Sequence, residues 1–385
     1  EEKPKFYVLL LILIAGAVGM VMTGDIFNLF VFMEITGIAA ASLIASGNLK
    51  SGLTGSLKYI LTASMGTLLM LVGIGLIYHL TGSLSLPVIA EKFQTIPANT
   101  RTLVSILLLT GLFVEAKIFP LNMWVPSSYK GAPIVINVML SAVVALAAGA
   151  VFMRLSILTG QTKNMPAILL WAGVVTTVIG EISAFTEKDL KKMLAYSSIG
   201  QMGLVLFAVG LMNTGGFYGG LFTLLSHSVV KVLLFLLAGF IILETGSSQR
   251  EALSGFAKNH PYLAVLFTIG ALSLTGLPGF MGFWGKFNII GAAVSSSQIL
   301  PVIFVLLVSI AEGVYLLRVS FTLFSDGGET IRPKVKVNPL FFIVVSLLAL
   351  LILVIGVYPG LISGFIDKAS DAIMNTNVYM NSIWN

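Results

Sequence analysis

The sequence predicts an all-α, polytopic membrane protein of about eleven transmembrane helices, and three observations predict it. Hydrophobic residues fill 57% of the 385 positions and charged residues only 10%, a balance that ordinary soluble domains do not show. The apolar residues fall into runs near the ~20 residues a helix needs to cross a bilayer. Most of the charge sits in short connections between those runs.

Read in order, the runs lie at about 6–23, 26–46, 57–80, 102–126, 131–158, 165–186, 192–211, 216–243, 261–298, 301–324 and 338–361. Span four holds Pro120 three residues after Lys117, and a proline there removes a backbone N–H and clashes with the preceding turn, so the helix breaks. Span nine is too long for one straight crossing. It contains Gly276, Pro278, Gly279 and Gly282, which places a second break there. If spans one to five form one unit and six to ten another, an odd number of crossings inverts the second relative to the first. The chain then divides into 1–160, 161–325 and a last segment, 326–385, with one break per five-helix repeat.

Basic residues set the orientation. Fourteen of the twenty-two, among them Lys5, Lys50, Lys130, Lys188, Lys258, Arg332 and Lys334, lie on the side of the N-terminus, and five, including Lys92, Arg154 and Lys163, on the other. The positive-inside rule puts the N-terminus in the cytoplasm and the C-terminus outside. This scatter through short loops also reads the formal charge of +6 as a topology signal, with no nucleic-acid partner. The absence of cysteine excludes disulfides and thiolate metal sites. The opening EEKPK contains acidic residues and no cleavage site follows the apolar run after it, unlike a signal peptide.

Ionisable groups inside spans are the candidate site. Each charge at the bilayer centre costs ~2.5–3.5 kcal/mol, so Glu34, Lys117, Lys231 and Lys286 require pairing or wetting; we read them as a relay or ion path rather than structural pairs. His227 precedes Lys231 by four residues on one helical face, and an imidazole both accepts and donates a proton. A hydrogen-bonded core histidine is the competing reading. Glu115 faces away from Lys117 on a regular helix unless the break turns it back, so pairing and relay both stand, and Glu312 in span ten is a secondary candidate. His79, Glu244 and His260 read as interfacial, and Glu181, just before TEKDLKKM, as part of a solvated cytoplasmic turn.

Five stretches carry a resemblance: GDIFNLFVFMEI at 24–35, AKIFPLNMWVPSSYKGAP at 116–133, KDLKKMLAYSSIGQMG at 188–203, SHSVVKVLLFLLAG at 226–239 and GLPGFMGFWGKF at 276–287. Together they resemble the antiporter-like membrane subunits of Mrp sodium/proton antiporters, respiratory complex I and membrane-bound hydrogenases, and the GDIFNLFVF form most resembles the D-type Mrp subunit and its counterpart in archaeal membrane-bound hydrogenase or sulfane reductase complexes. The resemblance implies fourteen helices in two inverted five-helix repeats, with this chain beginning at the fourth helix. It makes Glu34 the key glutamate, Lys117 the lysine of the first broken helix, His227 and Lys231 the central pair, and Lys286 the lysine of the second broken helix. It also implies proton or sodium/proton translocation beside other membrane subunits, with redox subunits holding Fe–S clusters as candidate partners and no cofactor, metal or redox site in this chain. Span five departs from the pattern, since SAVVALAAGAVFMRL has no ionisable residue near Ala145 to Ala148, and a non-pumping structural subunit is the alternative. The expected mechanism pairs Glu34 with Lys117 and passes protons through His227 and Lys231 to Lys286. Glu115 or water would bridge the gap at span five.

Overall fold

The computed structural model describes residues 2–47, 49–160, 162–326 and 335–374. Arg332 and Lys334, counted above for orientation, lie outside the described residues. The described residues are nearly all helical, and the only β pairing among them is two isolated bridges.

The first five crossings are α1 (Glu2–Met22), α2 (Ile26–Ala45), α3 (Leu49–Thr81), then, after the short α4 (Leu86–Lys92), α5 (Ala98–Glu115) with its continuation α6 (Val125–Gly131), and finally α7 (Ile134–Val138) running into α8 (Ala145–Gly160). The next five are α9 (Met165–Thr186), α10 (Leu190–Gly210), α11 (Thr214–Thr245), then, after α12 (Phe256–Asn259), α13 (Pro261–Thr275) with α14 (Met281–Ser295), and α15 (Ile299–Phe324). α16 (Pro339–Val357) follows. Among the described residues ten helices are each long and apolar enough to cross a membrane, α7 and α8 counting as one with the turn between them. The eleventh expected span is α13–α14, whose halves are individually too short because the chain breaks between them.

Both breaks end a helix in the same way. At the end of α13 the N–H of Gly276 bonds Ser273 and that of Leu277 bonds Leu272, the Schellman pattern, with Gly276 at φ +86°. At the end of α5, Lys117 and Ile118 bond Val114 and Phe113 in the same pattern, but the left-handed position is Lys117 at φ 61°. A side chain there costs roughly 1–2 kcal/mol. The first break is also wider than expected. A break beside Lys117 was expected within a span reaching 126, and the non-helical stretch runs from the end of α5 at Glu115 to the start of α6 at Val125, with Pro120 in the turn between.

The two halves share a second signature. Asp25 caps α2 and bridges to Ser85, while Asp189 caps α10 and bridges to Gln249. The flanking bonds repeat at matching positions, Ile26 to Leu84 and Leu86 to Gly24 in one half, Leu190 to Ser248 and Arg250 to Lys188 in the other. Five crossings separate Asp25 from Asp189, so the two bridges stand at opposite ends of the bundle.

Two features escaped the sequence reading. Met139–Val144, between α7 and α8, is a π-helix, a widened turn that commonly marks functional sites. After α16 comes α17 (Gly360–Met374), an amphipathic helix that buries Ile366 and Ser370 and leaves Phe365 outside; the spans expected from sequence end at 361.

Close approach of α9 and α10 sets the centre of the molecule. A Cβ on Gly173, Gly180 or Gly203 would stand 2.3, 2.4 or 2.5 Å from backbone nitrogens of Phe207, Gly200 and Thr177, so small residues let the two backbones nearly touch. Gly203→Val is expected to lower the unfolding free energy by about 1–3 kcal/mol in detergent denaturation. Gly291→Ala, where an added Cβ meets nothing within 4 Å, is expected to leave it unchanged.

Candidate functional site

The ionisable groups predicted from sequence line one buried axis in three clusters. In the first, Lys117, at the end of α5, is fully buried and its Nζ donates to Tyr129 Oη at 2.8 Å and to the Leu140 carbonyl at 3.0 Å. Leu140 lies in the π-helix. Span five thus supplies a backbone carbonyl to the lysine, while Ala145, Ala147 and Ala148 remain buried and apolar. Glu115 is also buried, and its Oε1 accepts from Tyr59 Oη at 2.9 Å.

The expected Glu34–Lys117 pair is not formed. Glu34 is half-buried on α2 and acts electrostatically on Tyr59 and Glu115. Among the described residues no carboxylate lies within ion-pair distance of Lys117. The reason is the break itself, because the left-handed turn at 117 sends the side chain toward Tyr129 and the π-helix instead of α2. The break does not pair Glu115 with Lys117 either, although the two charges act on one another.

The second cluster is on α11. Lys231, fully buried, donates to the Leu194 carbonyl at 2.8 Å and to Ser197 Oγ. Among the described residues neither ring nitrogen of His227, one turn earlier and 1% exposed, makes a hydrogen bond of ordinary geometry, although the Ser141 backbone lies near enough to act on the ring. Glu115 Oε2 is likewise buried without a partner. Buried polar atoms of this kind bind water, and His227 lies within the electrostatic influence of both Lys117 and Lys231.

The third cluster joins α9, α10, α14 and α15. Lys286 forms a buried ion pair with Glu312 Oε2 and donates to the Thr275 carbonyl at 2.9 Å, at the broken end of α13. Its stem lies over Gly276, where a Cβ would stand 2.8 Å from Lys286 Cδ. The other oxygen of Glu312 accepts from Gln201 Nε2 at 2.7 Å. Pro278 sits in the break alongside. Glu312, a secondary candidate from sequence, is therefore the partner of Lys286.

Three residues read from sequence as interfacial or solvated are buried. Glu181 is 2% exposed and accepts from Tyr315 Oη at 2.8 Å. Its position near the end of α9 misled the linear reading, for α9 and α10 run antiparallel and Glu181 packs beside Gly200, at mid-length of α10. Glu244 and His260 are each 6% exposed and stand 3.5 Å apart at ion-pair distance. Glu244 also accepts from Asn259 Nδ2 and from the Val335 N–H, both at 2.8 Å, which ties α11 to the start of α13 and the segment entering α16. His79 is exposed at the end of α3, as expected.

Residues 23–311 match the family described as NADH:quinone oxidoreductase/Mrp antiporter, TM. The chain is 28% identical over 387 residues to the D-type protein of the Na⁺/H⁺ antiporter of Bacillus subtilis (strain 168), covering 100% of this chain and 78% of that protein. It is 32% identical over 324 residues to the N-type protein of the NADH-quinone oxidoreductase of Desulforudis audaxviator (strain MP104C), covering 83% of this chain and 64% of that protein. A chain in the structure of the membrane-bound sulfane sulfur reductase, an archaeal respiratory membrane complex, superposes with a TM-score of 0.91 at 37% identity, over 96% of this chain and 76% of that one. A chain of the Mrp complex from Dietzia sp. DQ12-45-1b superposes with a TM-score of 0.90 over 98% of this chain and 79% of that one. Its 24% identity makes that a likeness of fold.

A double-mutant cycle on stability checks this geometry. Lys286→Met alone is expected to cost about 3–5 kcal/mol because it strands Glu312, and adding Glu312→Gln is expected to restore most of that. For Glu34 and Lys117 the coupling energy is expected to stay within ~0.5 kcal/mol.

Proposed function

This chain belongs to the NADH:quinone oxidoreductase/Mrp antiporter transmembrane family, and from that premise we propose that it is an ion-translocating subunit, moving protons, alone or in exchange for sodium, along the buried axis. The observation that carries this reading is the continuity of charge. Electrostatic influence passes from Glu34 to Glu115, from Glu115 to Lys117, from Lys117 to His227 and Lys231, and from Lys231 to Glu181 and Glu312. A proton added at one member changes the cost of holding a proton at the next. Polar groups this expensive persist in membranes chiefly on substrate and proton paths.

Lys117 and Lys286 bring their ammonium groups to the broken helices, where irregular backbone is tolerated only beside protein or water. His227, whose ring nitrogens make no hydrogen bond of ordinary geometry among the described residues, would exchange protons with water between the first lysine and Lys231. Glu312 is the countercharge of Lys286, and a proton reaching the carboxylate would remove it. The driving energy would come from elsewhere in the assembly. Relatives of this chain are subunits of multisubunit membrane complexes, and the 37% identity to a chain of a sulfane sulfur reductase, a respiratory membrane complex, supports a redox-driven parent complex, for which iron–sulfur subunits are our proposed partners. The division into inverted repeats at 1–160 and 161–325 is supported by the matched Schellman breaks and the matched Asp bridges.

The apolar Ala145–Ala148 run favours a second reading in which the first half is structural and does not conduct. Lys286→Met in the complex reconstituted in vesicles is expected to abolish coupled proton transport while leaving assembly intact, and unchanged transport would make Lys286 a structural charge. If Lys117→Met alone leaves transport unchanged, only the second half conducts.

We place the N-terminal side in the cytoplasm. Lys191 donates to the carbonyls of Lys130 and Ala132, and Lys58 to Ser127, so much of the basic set gathers at one end. Arg154 donates to the carbonyls of Val21 and Thr23 at the other. Single cysteines are unambiguous labels, as the chain has none. Lys188→Cys is expected to react only from the cytoplasmic face and Lys163→Cys only from outside; the reverse pattern overturns the orientation.

A further inference from the structure

Between Lys231 and the Lys286–Glu312 pair the relay needs a group that holds a proton in transit. Glu181 stands there. Its carboxylate is buried on α9, and among the described residues no cation lies within ion-pair distance of it; its hydrogen bond is the one from Tyr315 Oη at 2.8 Å. A structural carboxylate at this depth would be paired, since a buried, unpaired charge costs several kcal/mol. The charges of Glu312, Lys286 and Lys231 all act on it.

The hydroxyls around Glu181 run in one direction. Lys231 Nζ donates to Ser197 Oγ, Tyr315 donates to Glu181, and the Ser197 hydroxyl lies near enough to act on Tyr315. A hydroxyl donates one proton and accepts others, so both hydrogen bonds of this series point toward the carboxylate. Room for the carboxylate is built in: a Cβ at Gly200 would stand 2.0 Å from Glu181 Oε1. Tyr315 is one turn from Glu312 on α15, and Gln201, next to Gly200, donates to Glu312. Both carboxylates are therefore served by the same two neighbouring helices.

We propose that Glu181 is a proton-carrying residue of the axis, receiving a proton from Lys231 through Ser197 and Tyr315 and passing it to the Glu312–Lys286 pair. The inference rests on the proton-transport reading above. In the first transfer the Lys231 ammonium becomes an amine and the Glu181 carboxylate an acid, each hydroxyl gaining one proton and losing one. In the second, Glu181 returns to carboxylate as Glu312 is protonated, which removes the countercharge of Lys286. Lys286 then releases its proton toward the exit and takes the one on Glu312. One proton enters and one leaves.

The test uses the assembled complex in proteoliposomes, with proton flux read by a pH-sensitive dye, and Lys286→Met as the comparator. Glu181→Gln is expected to lower flux by on the order of tenfold or more, and Glu181→Asp to restore part of it. A carboxylic-acid C=O band in infrared difference spectra is expected in the native protein and absent in Glu181→Gln. Wild-type flux in Glu181→Gln beside a dead Lys286→Met overturns the inference and leaves the transport reading standing. Wild-type flux in both overturns the transport reading. Should Glu181→Gln fail to assemble, Tyr315→Phe decides: it keeps the carboxylate and removes the hydroxyl, so flux must fall and its solvent deuterium effect must change. An unchanged Tyr315→Phe overturns the wire.

Discussion

An ammonium group in hydrocarbon must find oxygen inside the protein, and all three lysines in this bundle meet that constraint the same way. Each donates to one backbone carbonyl and one side-chain oxygen: Lys117 to Leu140 and Tyr129, Lys231 to Leu194 and Ser197, Lys286 to Thr275 and Glu312. Regular transmembrane helices keep their carbonyls occupied. A lysine can use one best where the ladder is loosened, and two of the three carbonyls lie at such places, the π-helix and the broken end of α13. The breaks and the charges are thus one feature, each stabilising the other.

The two halves solve this problem unequally. In the first, the lysine occupies the left-handed position of the break, where the second half has Gly276. In the second, the lysine sits on the helix beyond the break and reaches back across that glycine. Lys286 gains a carboxylate partner by doing so, whereas Lys117 has only neutral oxygens. This asymmetry gives the halves different electrostatics within one repeated backbone plan. Lys117 is buried among neutral acceptors with the charges of Glu115 and Lys231 nearby, whereas Lys286 has its countercharge in direct contact.

Outside the axis, Glu244 and His260 use the same logic for a structural end. Their buried contact, with Asn259 and the Val335 N–H on the same carboxylate, fixes the entry of α16 against the second half. The apolar faces of α1 and α3 stay largely exposed, as expected of helices that meet lipid or neighbouring membrane proteins.

By itself the sequence determined the class, the spans, both helix breaks and the identity of the buried lysines. Those follow from local quantities, namely the length of an apolar run, a proline inside it and a charge where water is scarce. Lys117, Lys231 and Lys286 were legible because a lysine in such a run is costly wherever it points. The tertiary structure decided which groups meet. Glu34 and Lys117 were expected to pair, and the left-handed turn at 117 prevents it. Glu181 looked solvated by its place near a helix end, yet the antiparallel packing of α9 on α10 carries it to mid-length of its neighbour. The acceptor that span five lacks as a side chain it supplies as the Leu140 carbonyl, and a backbone atom leaves no mark in composition. Burial and partnership are properties of neighbours distant in the chain, which a one-dimensional pattern does not hold.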